Sequence, residues 1–280
     1  MKDLLSRYHR DLLLKGYSSR TRAHYFSNVE QFLTYISFNP DRIDPEQIKD
    51  YLYFLISEKK ASDSKIRQAH SAIKYLVIQT LSRPWEAGAI PQVKKKKRLP
   101  LVYSVPEVFS ILDHSANLKH RTLLTLVYSS GLRVSEVVNL TIHSIKRDQK
   151  RLLIRNGKGG KDRYTILSDK ALSLLEEYWK MYRPAHWLFY GRKDRPLTIR
   201  ACQHAFHQAK QRSGLGKEGG IHTLRHSFAT HFLESGGGIF QLQKFLGHKN
   251  LKTTLVYAHV REEHISAVSP LDFYGTPSHR

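Results

Sequence analysis

Leu152-Leu153-Ile154-Arg155, then Gly157-Lys158-Gly159-Gly160-Lys161-Asp162, then Tyr164-Thr165-Ile166-Leu167: two short β-type runs here flank a cationic turn rich in glycine. β-Branched and aromatic residues suit a pleated strand, and closely spaced glycines permit a tight reversal. The segment therefore predicts an antiparallel hairpin with Lys158 and Lys161 at its tip. Elsewhere the dominant period is helical. The predicted fold class is mainly α with a small antiparallel β element.

On the amino-terminal side, apolar residues between Ser6 and Ser82 recur at helical spacing, as in Val29, Phe32, Leu33, Ile36 and in Ile48, Tyr51, Leu52, Leu55. Helix starts are marked by Ser18-Ser19 and by Asp44-Pro45-Glu46, because a short polar side chain can accept from a free backbone N–H and proline pre-sets the first helical φ. About four helices are expected here. From Ala87 to Pro100 the periodicity is lost, and Lys94-Lys95-Lys96-Lys97-Arg98 lies within this stretch. It reads as a basic linker at 87–100 between a helical domain at 1–86 and a second domain at 101–280. In that second domain Pro106-Glu107-Val108 opens a helix. A helical pattern over Thr122 to Tyr128 ends at Ser129-Ser130-Gly131, and helices with loops follow Leu172.

Charge restricts the partner. Lys and Arg outnumber Asp and Glu by 46 to 24, a net charge of +22 over 280 residues. The excess is not confined to one tail: residues 1–98 hold 19 basic against 10 acidic side chains, and 99–280 hold 27 against 14. A surface of this kind predicts a polyanionic partner and binding that weakens steeply with salt. One cysteine, Cys202, excludes an internal disulfide framework and a thiolate metal cluster. The amino terminus does not read as a signal peptide, and no stretch approaches the ~20 apolar residues of a membrane span. A soluble, cytoplasmic protein with no membrane partner is expected.

Four segments carry the chemistry. In Ser130-Gly131-Leu132-Arg133-Val134-Ser135-Glu136 the glycine allows a sharp turn, and a helix restarting near Arg133 would let its guanidinium share an anion with free backbone N–H groups. Lys158, between two glycines, can reach closely into a groove. In His222-Thr223-Leu224-Arg225-His226 helical spacing puts His222 and Arg225 on one face, with Leu224, Phe228 and Phe232 packing behind. In Phe245-Leu246-Gly247-His248-Lys249-Asn250, Gly247 ends a helix and His248 lies on the turn. Thr253 or Thr254 is the expected cap of the next helix, which carries Tyr257. Planar guanidinium forks can hold the non-bridging oxygens of a phosphodiester, an oriented tyrosine can attack phosphorus, and a lysine can protonate the departing sugar oxygen. These are the parts of metal-free phosphoryl transfer.

With these residues in order, the chain resembles the tyrosine recombinases, or phage integrase family, over nearly its whole length, and its basic linker and the Tyr17-Ser18-Ser19-Arg20-Thr21 helix entry look closer to integron-type and Xer-type members than to larger phage integrases. The resemblance assigns catalytic roles to Arg133 of the G-L-R-x-S-E segment, Lys158, His222 and Arg225 of H-x-x-R, His248 of L-G-H, and Tyr257 as nucleophile. It implies a helical core-binding domain of SAM-like type and a mixed α/β catalytic domain that together clamp around DNA. The implied reaction gives a 3′-phosphotyrosyl link and a free 5′-hydroxyl, then reverses onto another strand, with no cofactor because the covalent link conserves the bond. It further implies double-stranded recombination sites as partner and a chain monomeric when free and tetrameric in the synaptic complex. The resemblance leaves room for accessory DNA-bending or excision proteins as further partners. Lys94, Lys95, Lys96, Lys97, Arg98, Lys161 and Arg163 are the expected DNA contacts. One departure is Ser235-Gly236-Gly237-Gly238, where relatives more often carry an acidic helix cap.

Each residue also has a plainer role. Arg133 alone could be the ion-pair partner of Glu136. The histidines at 222, 226, 231, 248 and 259 could gather a metal, but no Cys pair and no His-Glu-x-x-His accompanies them. His226 and His231 read as helix packing or capping residues. The hairpin turn lacks the Lys-Ser/Thr ending of a phosphate-binding P-loop. Tyr274 is the alternative nucleophile, without the context that Tyr257 has. Two competing functions are a type IB topoisomerase, which would relax any supercoiled plasmid, and a non-catalytic DNA-binding protein on the same scaffold.

Overall fold

In a computed structural model the described residues are 2–39, 43–86, 88–91, 99–155, 162–192 and 195–258. The hairpin tip with Lys158 and Lys161, the basic run Lys94 to Arg98, His259 and Tyr274 lie outside them. Close backbone contacts divide the chain into two compact units, Met1–Lys97 and Arg98–Arg280.

The amino-terminal unit consists of α1 (Lys2–Leu14), α2 (Ser19–Tyr35), α3 (Pro45–Ser57) and α4 (Asp63–Tyr75), the last running into a π-helical stretch over Leu76–Thr80. Ser18 accepts from the Thr21 N–H and Asp44 from the Gln47 N–H, so both expected caps form. Gly16, at φ +73°, supplies the left-handed turn between α1 and α2. The apolar stripes meet in one core of Tyr8, Leu12, Phe32, Leu33, Tyr51, Ile73 and their neighbours. Phe32 and Tyr51 pack with centroids 5.2 Å apart, and the buried Tyr8 hydroxyl donates to the Ala72 carbonyl at 3.1 Å. Ile90, within the stretch that reads as linker, is buried in this core. Its apolar side chain outweighs the Gly and Pro residues around it.

The carboxy-terminal unit opens with α5 (Val105–Asp113), started by a Ser104–Glu107 capping box, and α6 (Leu118–Ser129), capped by Asn117. A short α7 (Val134–Val137) follows Arg133. Three antiparallel strands come next, β1 (Ile145–Lys146), β2 (Arg151–Ile154) and β3 (Arg163–Ile166), in the order β1-β2-β3. The expected hairpin is β2–β3, shifted one residue earlier on each strand, with Ile154 opposite Arg163. Leu152 and Ile154 point into the core while Arg151 stays exposed, the alternation of a sheet covered on one face. β1 was not predicted, since two residues are too short for an alternation to register.

The remaining helices are α8 (Asp169–Tyr182), α9 (Ile199–Arg212), α10 (Ile221–Glu234), α11 (Ile239–Leu246) and α12 (Lys252–Ala258). α10 is the pivot of this unit, with buried residues on most of its circumference. One flank contributes Leu224 to the main core, and another contributes Phe228 and Leu233 to a smaller cluster with Leu242, Leu246 and Tyr257. Among the described residues no helix is long and apolar enough to cross a membrane.

Candidate active site

The site grows from three helix ends. α6 stops at Ser129, and Gly131 turns the chain at φ +61°, where an added Cβ would lie 2.4 Å from the Phe228 ring. Only glycine fits that approach, and it brings Arg133 round to the N-cap of α7. α11 ends on Gly247, again left-handed at φ +63°, where a Cβ would press on the Arg163 side chain at 2.8 Å. α12 then begins. Thr253 and Thr254, the caps that the sequence predicts, fall inside this helix, and the Lys252 N–H at its start instead donates to the Asn250 side chain at 2.9 Å. Thr254 is instead fully buried and bonded to His248.

Glu136 is the hub. Arg163 donates to both of its oxygens, Nη1 to Oε1 at 2.7 Å and Nη2 to Oε2 at 2.8 Å, in a planar two-point fork. The Arg133 Nη1 reaches Oε1 at 2.7 Å and the Arg133 backbone N–H reaches Oε2 at 2.8 Å. The Arg225 Nη1 stands 3.6 Å from Oε2. Burial by itself would raise the carboxyl's pKa, but the hydrogen bonds and charge of Arg163, the Arg133 N–H and the charge of Arg225 overcome it and hold Glu136 at about 2. It is ionised at any working pH.

Arg225 is tied down further. Its Nη1 donates to the Gly131 carbonyl at 2.6 Å and its Nη2 to the Leu246 carbonyl at 2.8 Å. Arg163 Nε donates to the Phe245 carbonyl at 2.8 Å. The carbonyls of Phe245 and Leu246 close α11, where helix C-termini carry unpaired acceptors and partial negative charge. Two arginines thus satisfy them.

The three arginines differ in exposure. The Arg133 side chain is 22% exposed, Arg163 11% and Arg225 6%, so Arg133 offers the most accessible guanidinium face. Arg163, expected as a DNA contact, has its Nε, Nη1 and Nη2 each bonded within the protein, to the Phe245 carbonyl and to Glu136. Burial, followed by the charge of Arg133, lowers the pKa of Arg225, and Glu136 opposes that shift.

Beside this network lie the histidines and Tyr257. Arg225 Nη2 approaches His248 Nε2 at 3.3 Å, and His248 Nδ1 lies 3.0 Å from Thr254 Oγ1. A guanidinium can only donate, so Nε2 accepts and Nδ1 carries the proton toward Thr254. The His248 ring stacks on Tyr257 at 14° with centroids 6.5 Å apart. Tyr257, only 5% exposed, has its hydroxyl 2.8 Å from His226 Nδ1. Burial raises the Tyr257 pKa, while the charges of Arg225 and Arg133 lower it. His222, on the first turn of α10, keeps an exposed surface, and crowding of its ring by neighbouring groups, then the charges of Arg225 and Arg133, lower its pKa against the opposing charge of Glu136.

The structure therefore brings Arg133, Arg225, His248 and Tyr257 into one connected network, with His222 electrostatically coupled to its arginines. It also corrects the packing role expected of His226, which touches the Tyr257 hydroxyl. The sequence held a signal for this: His226 is one helical turn after His222, and residues four apart share a flank. His231 does pack within the fold, with its Nδ1 2.9 Å from the Tyr128 hydroxyl.

The sequence model described as the phage integrase family matches residues 103–264, and that described as the phage integrase N-terminal SAM-like domain matches residues 4–87. The chain belongs to the phage integrase family. This tyrosine recombinase is 37% identical to y4qK of Sinorhizobium fredii, over 99% of its own length and 91% of that protein. It is 31% identical to tyrosine recombinase XerC of Lactobacillus leichmannii, over 77% of this chain and 79% of that one. Among solved structures it is similar to a lambda integrase (75–356) dimer bound to a COC′ core site, with TM-score 0.79, 19% identity and coverage of 96% and 99%. It is also similar to the XerH recombinase bound to a palindromic difH substrate, with TM-score 0.74, 22% identity and coverage of 86% and 77%. The recombinase shares with these its mainly helical fold and small antiparallel sheet.

Proposed function

We propose that this recombinase cuts and rejoins double-stranded DNA at specific sites through a covalent 3′-phosphotyrosyl bond to Tyr257. The observation that supports this most strongly is the placement of the Tyr257 hydroxyl, hydrogen-bonded to a histidine and in the field of two arginines held by one buried carboxylate. A scissile phosphate seated against Arg133 and Arg225 would have its charge balanced as the transition state forms, by groups already fixed in place. His222 would complete the contacts to the non-bridging oxygens, and His248 would act by holding Arg225 in place. Lys158, which lies outside the described residues, is the proton donor to the 5′-oxygen that the family resemblance implies. Bond energy is conserved in the phosphotyrosyl link, so no cofactor is required.

The net charge of +22 supports a DNA partner. The DNA-bound dimer of the lambda integrase and its tetramer bound to a Holliday junction support assembly of several copies on paired sites. The lone cysteine, Cys202, buried and unpaired, suits a reducing cytoplasm. Integration, excision, transposition of a mobile element and dimer resolution are all outcomes of this one chemistry.

The test is covalent capture. The full chain is incubated with a pool of nicked duplexes of randomised core sequence, denatured, and the DNA that stays attached is sequenced. A defined site should emerge, and Tyr257→Phe should retain no DNA while Tyr274→Phe behaves as wild type. Capture by Tyr257→Phe, or relaxation of plasmids lacking the recovered site, would overturn the proposal. Arg133→Ala and Arg225→Ala should each slow capture by roughly two to three decades.

A further inference from the structure

His226 has no part in the six-residue set that the resemblance assigns, yet its Nδ1 lies 2.8 Å from the Tyr257 hydroxyl, with the two rings tilted 39° and centroids 5.7 Å apart. Resting on the proposed attack by Tyr257, we propose that His226 is a catalytic base that takes the Tyr257 proton as the phenolic oxygen bonds to phosphorus, and returns it when the strand is rejoined.

Three features support the role. First, the phenol needs help, since burial makes Tyr257 harder to ionise and the nearby arginines only partly offset this. A buried tyrosine attacks phosphorus readily only if a neighbour accepts its proton in the same step. Second, His226 is suited to accept: burial, then the charges of Arg225 and His222, lower the pKa of its imidazole and so favour the neutral ring, which has a nitrogen free to take a proton. Facing it are Tyr257 from α12, and Arg225 and His222 from its own helix; no carboxylate is near enough to hold it protonated among the interactions described. Third, the other histidine against Tyr257 is committed elsewhere. The His248 Nε2 accepts from Arg225 and its Nδ1–H points to Thr254, which leaves that ring stacked on the phenol instead of bonded to the hydroxyl.

The step balances. The Tyr257 O–H bond breaks and its proton goes to His226 Nδ1. The oxygen–phosphorus bond forms, the bond from phosphorus to the 5′-oxygen breaks, and that oxygen takes a proton from Lys158. Rejoining runs the same transfers backwards, so protonated His226 is the acid that frees Tyr257.

The experiment uses nicked duplexes recovered in the capture selection and measures single-turnover cleavage between about pH 5 and 9. His226→Gln keeps a hydrogen-bonding partner for the hydroxyl but cannot take its proton. It should slow cleavage by about two decades or more near neutrality, and the deficit should shrink at high pH, where hydroxide substitutes. His226→Asn serves in the same way if the glutamine does not fold. A second probe replaces the 5′-bridging oxygen with sulfur, which departs without a proton. That substrate should rescue Lys158→Ala and leave His226→Gln slow. A His226→Gln enzyme close to wild type, a deficit that is flat with pH, or rescue of His226→Gln by sulfur would each overturn the base role. If wild type forms no covalent complex on any duplex, the recombinase proposal itself fails, and the two failures are distinct.

Discussion

The two units bury different things. In the amino-terminal unit the interior is apolar and aromatic, with Tyr8, Phe32 and Tyr51 at its centre, and its ion pairs, such as Lys49–Glu46, lie at the surface. Among the described residues the buried carboxylate, Glu136, and the buried guanidinium, Arg225, both belong to the carboxy-terminal unit, whereas the amino-terminal unit buries the imidazole of His70. Apolar packing degrades by volume and tolerates partial loss. A buried carboxylate shared by three arginines does not, because removing any partner strands the others without solvent. The first unit is thus built to persist, while the second uses part of its stability to hold charges where a phosphate is expected to sit.

The largest expected effect is on that shared carboxylate. Glu136→Ala leaves Arg133, Arg163 and Arg225 facing each other and should destabilise the chain by about 3–5 kcal/mol, seen as a lowered first transition in thermal unfolding, with capture of DNA lost. The same network sets an acid limit. A carboxyl lowered from its ordinary 4.5 to about 2 stabilises the fold fully above 4.5, and that contribution drains away as pH falls toward 2. It amounts to roughly 3 kcal/mol, and Glu136→Gln should remove that share of the acid dependence. Unchanged acid unfolding in Glu136→Gln would break the contrast between the units.

Phe32→Ala probes the other side. Loss of a fully buried ring should cost about 3–4 kcal/mol, but the part of acid unfolding that belongs to Glu136 should be unaffected and the pH profile of cleavage should keep its shape. A changed profile would mean that the units are not energetically separate. Arg163→Lys comes next. A lysine cannot reproduce a two-point fork to Glu136 together with a bond to the Phe245 carbonyl, so about 1.5–3 kcal/mol should be lost, and cleavage should fall because Glu136, the common anchor of Arg133 and Arg225, is itself held less firmly. Weaker DNA binding with a shallower salt dependence than wild type, at normal stability and cleavage, would instead place Arg163 on the DNA face.

What the sequence made legible was local. Ser18, Asp44 and the Gly131 and Gly247 turns announce themselves within three or four residues, because capping and left-handed turns are short-range physics. The hairpin shows for the same reason. What stayed hidden is set by partners far along the chain. Arg163 looks like any cation at a hairpin edge until Glu136, 27 residues earlier, is placed beside it. His226 looks like packing until Tyr257, 31 residues later, meets it. Thr254 looks like a helix cap because that is what threonine does at a helix start, and that the helix has already begun at Lys252, with its N–H on the Asn250 side chain, is visible only once the turn is built.

Thr254 also gives the finest test of the comparison. It is fully buried, as Phe32 is, but the structure assigns its hydroxyl to orienting His248 and not to filling space. Thr254→Val keeps shape and volume while removing the acceptor of the His248 Nδ1–H. Were packing all that mattered, stability and cleavage would be unchanged. With the bond as described, the fold should lose about 1 kcal/mol and His248 should be freed to turn over, so that Nε2 no longer faces Arg225 in every molecule. Cleavage should then fall by about tenfold, with DNA binding intact. Thr254→Ser, which loses the methyl and keeps the hydroxyl, should recover the rate while packing less well. The two substitutions therefore separate volume from orientation at one buried residue: a serine variant as slow as the valine one would place Thr254 with the apolar core, and a valine variant at wild-type speed would show that His248 is held by Arg225 alone.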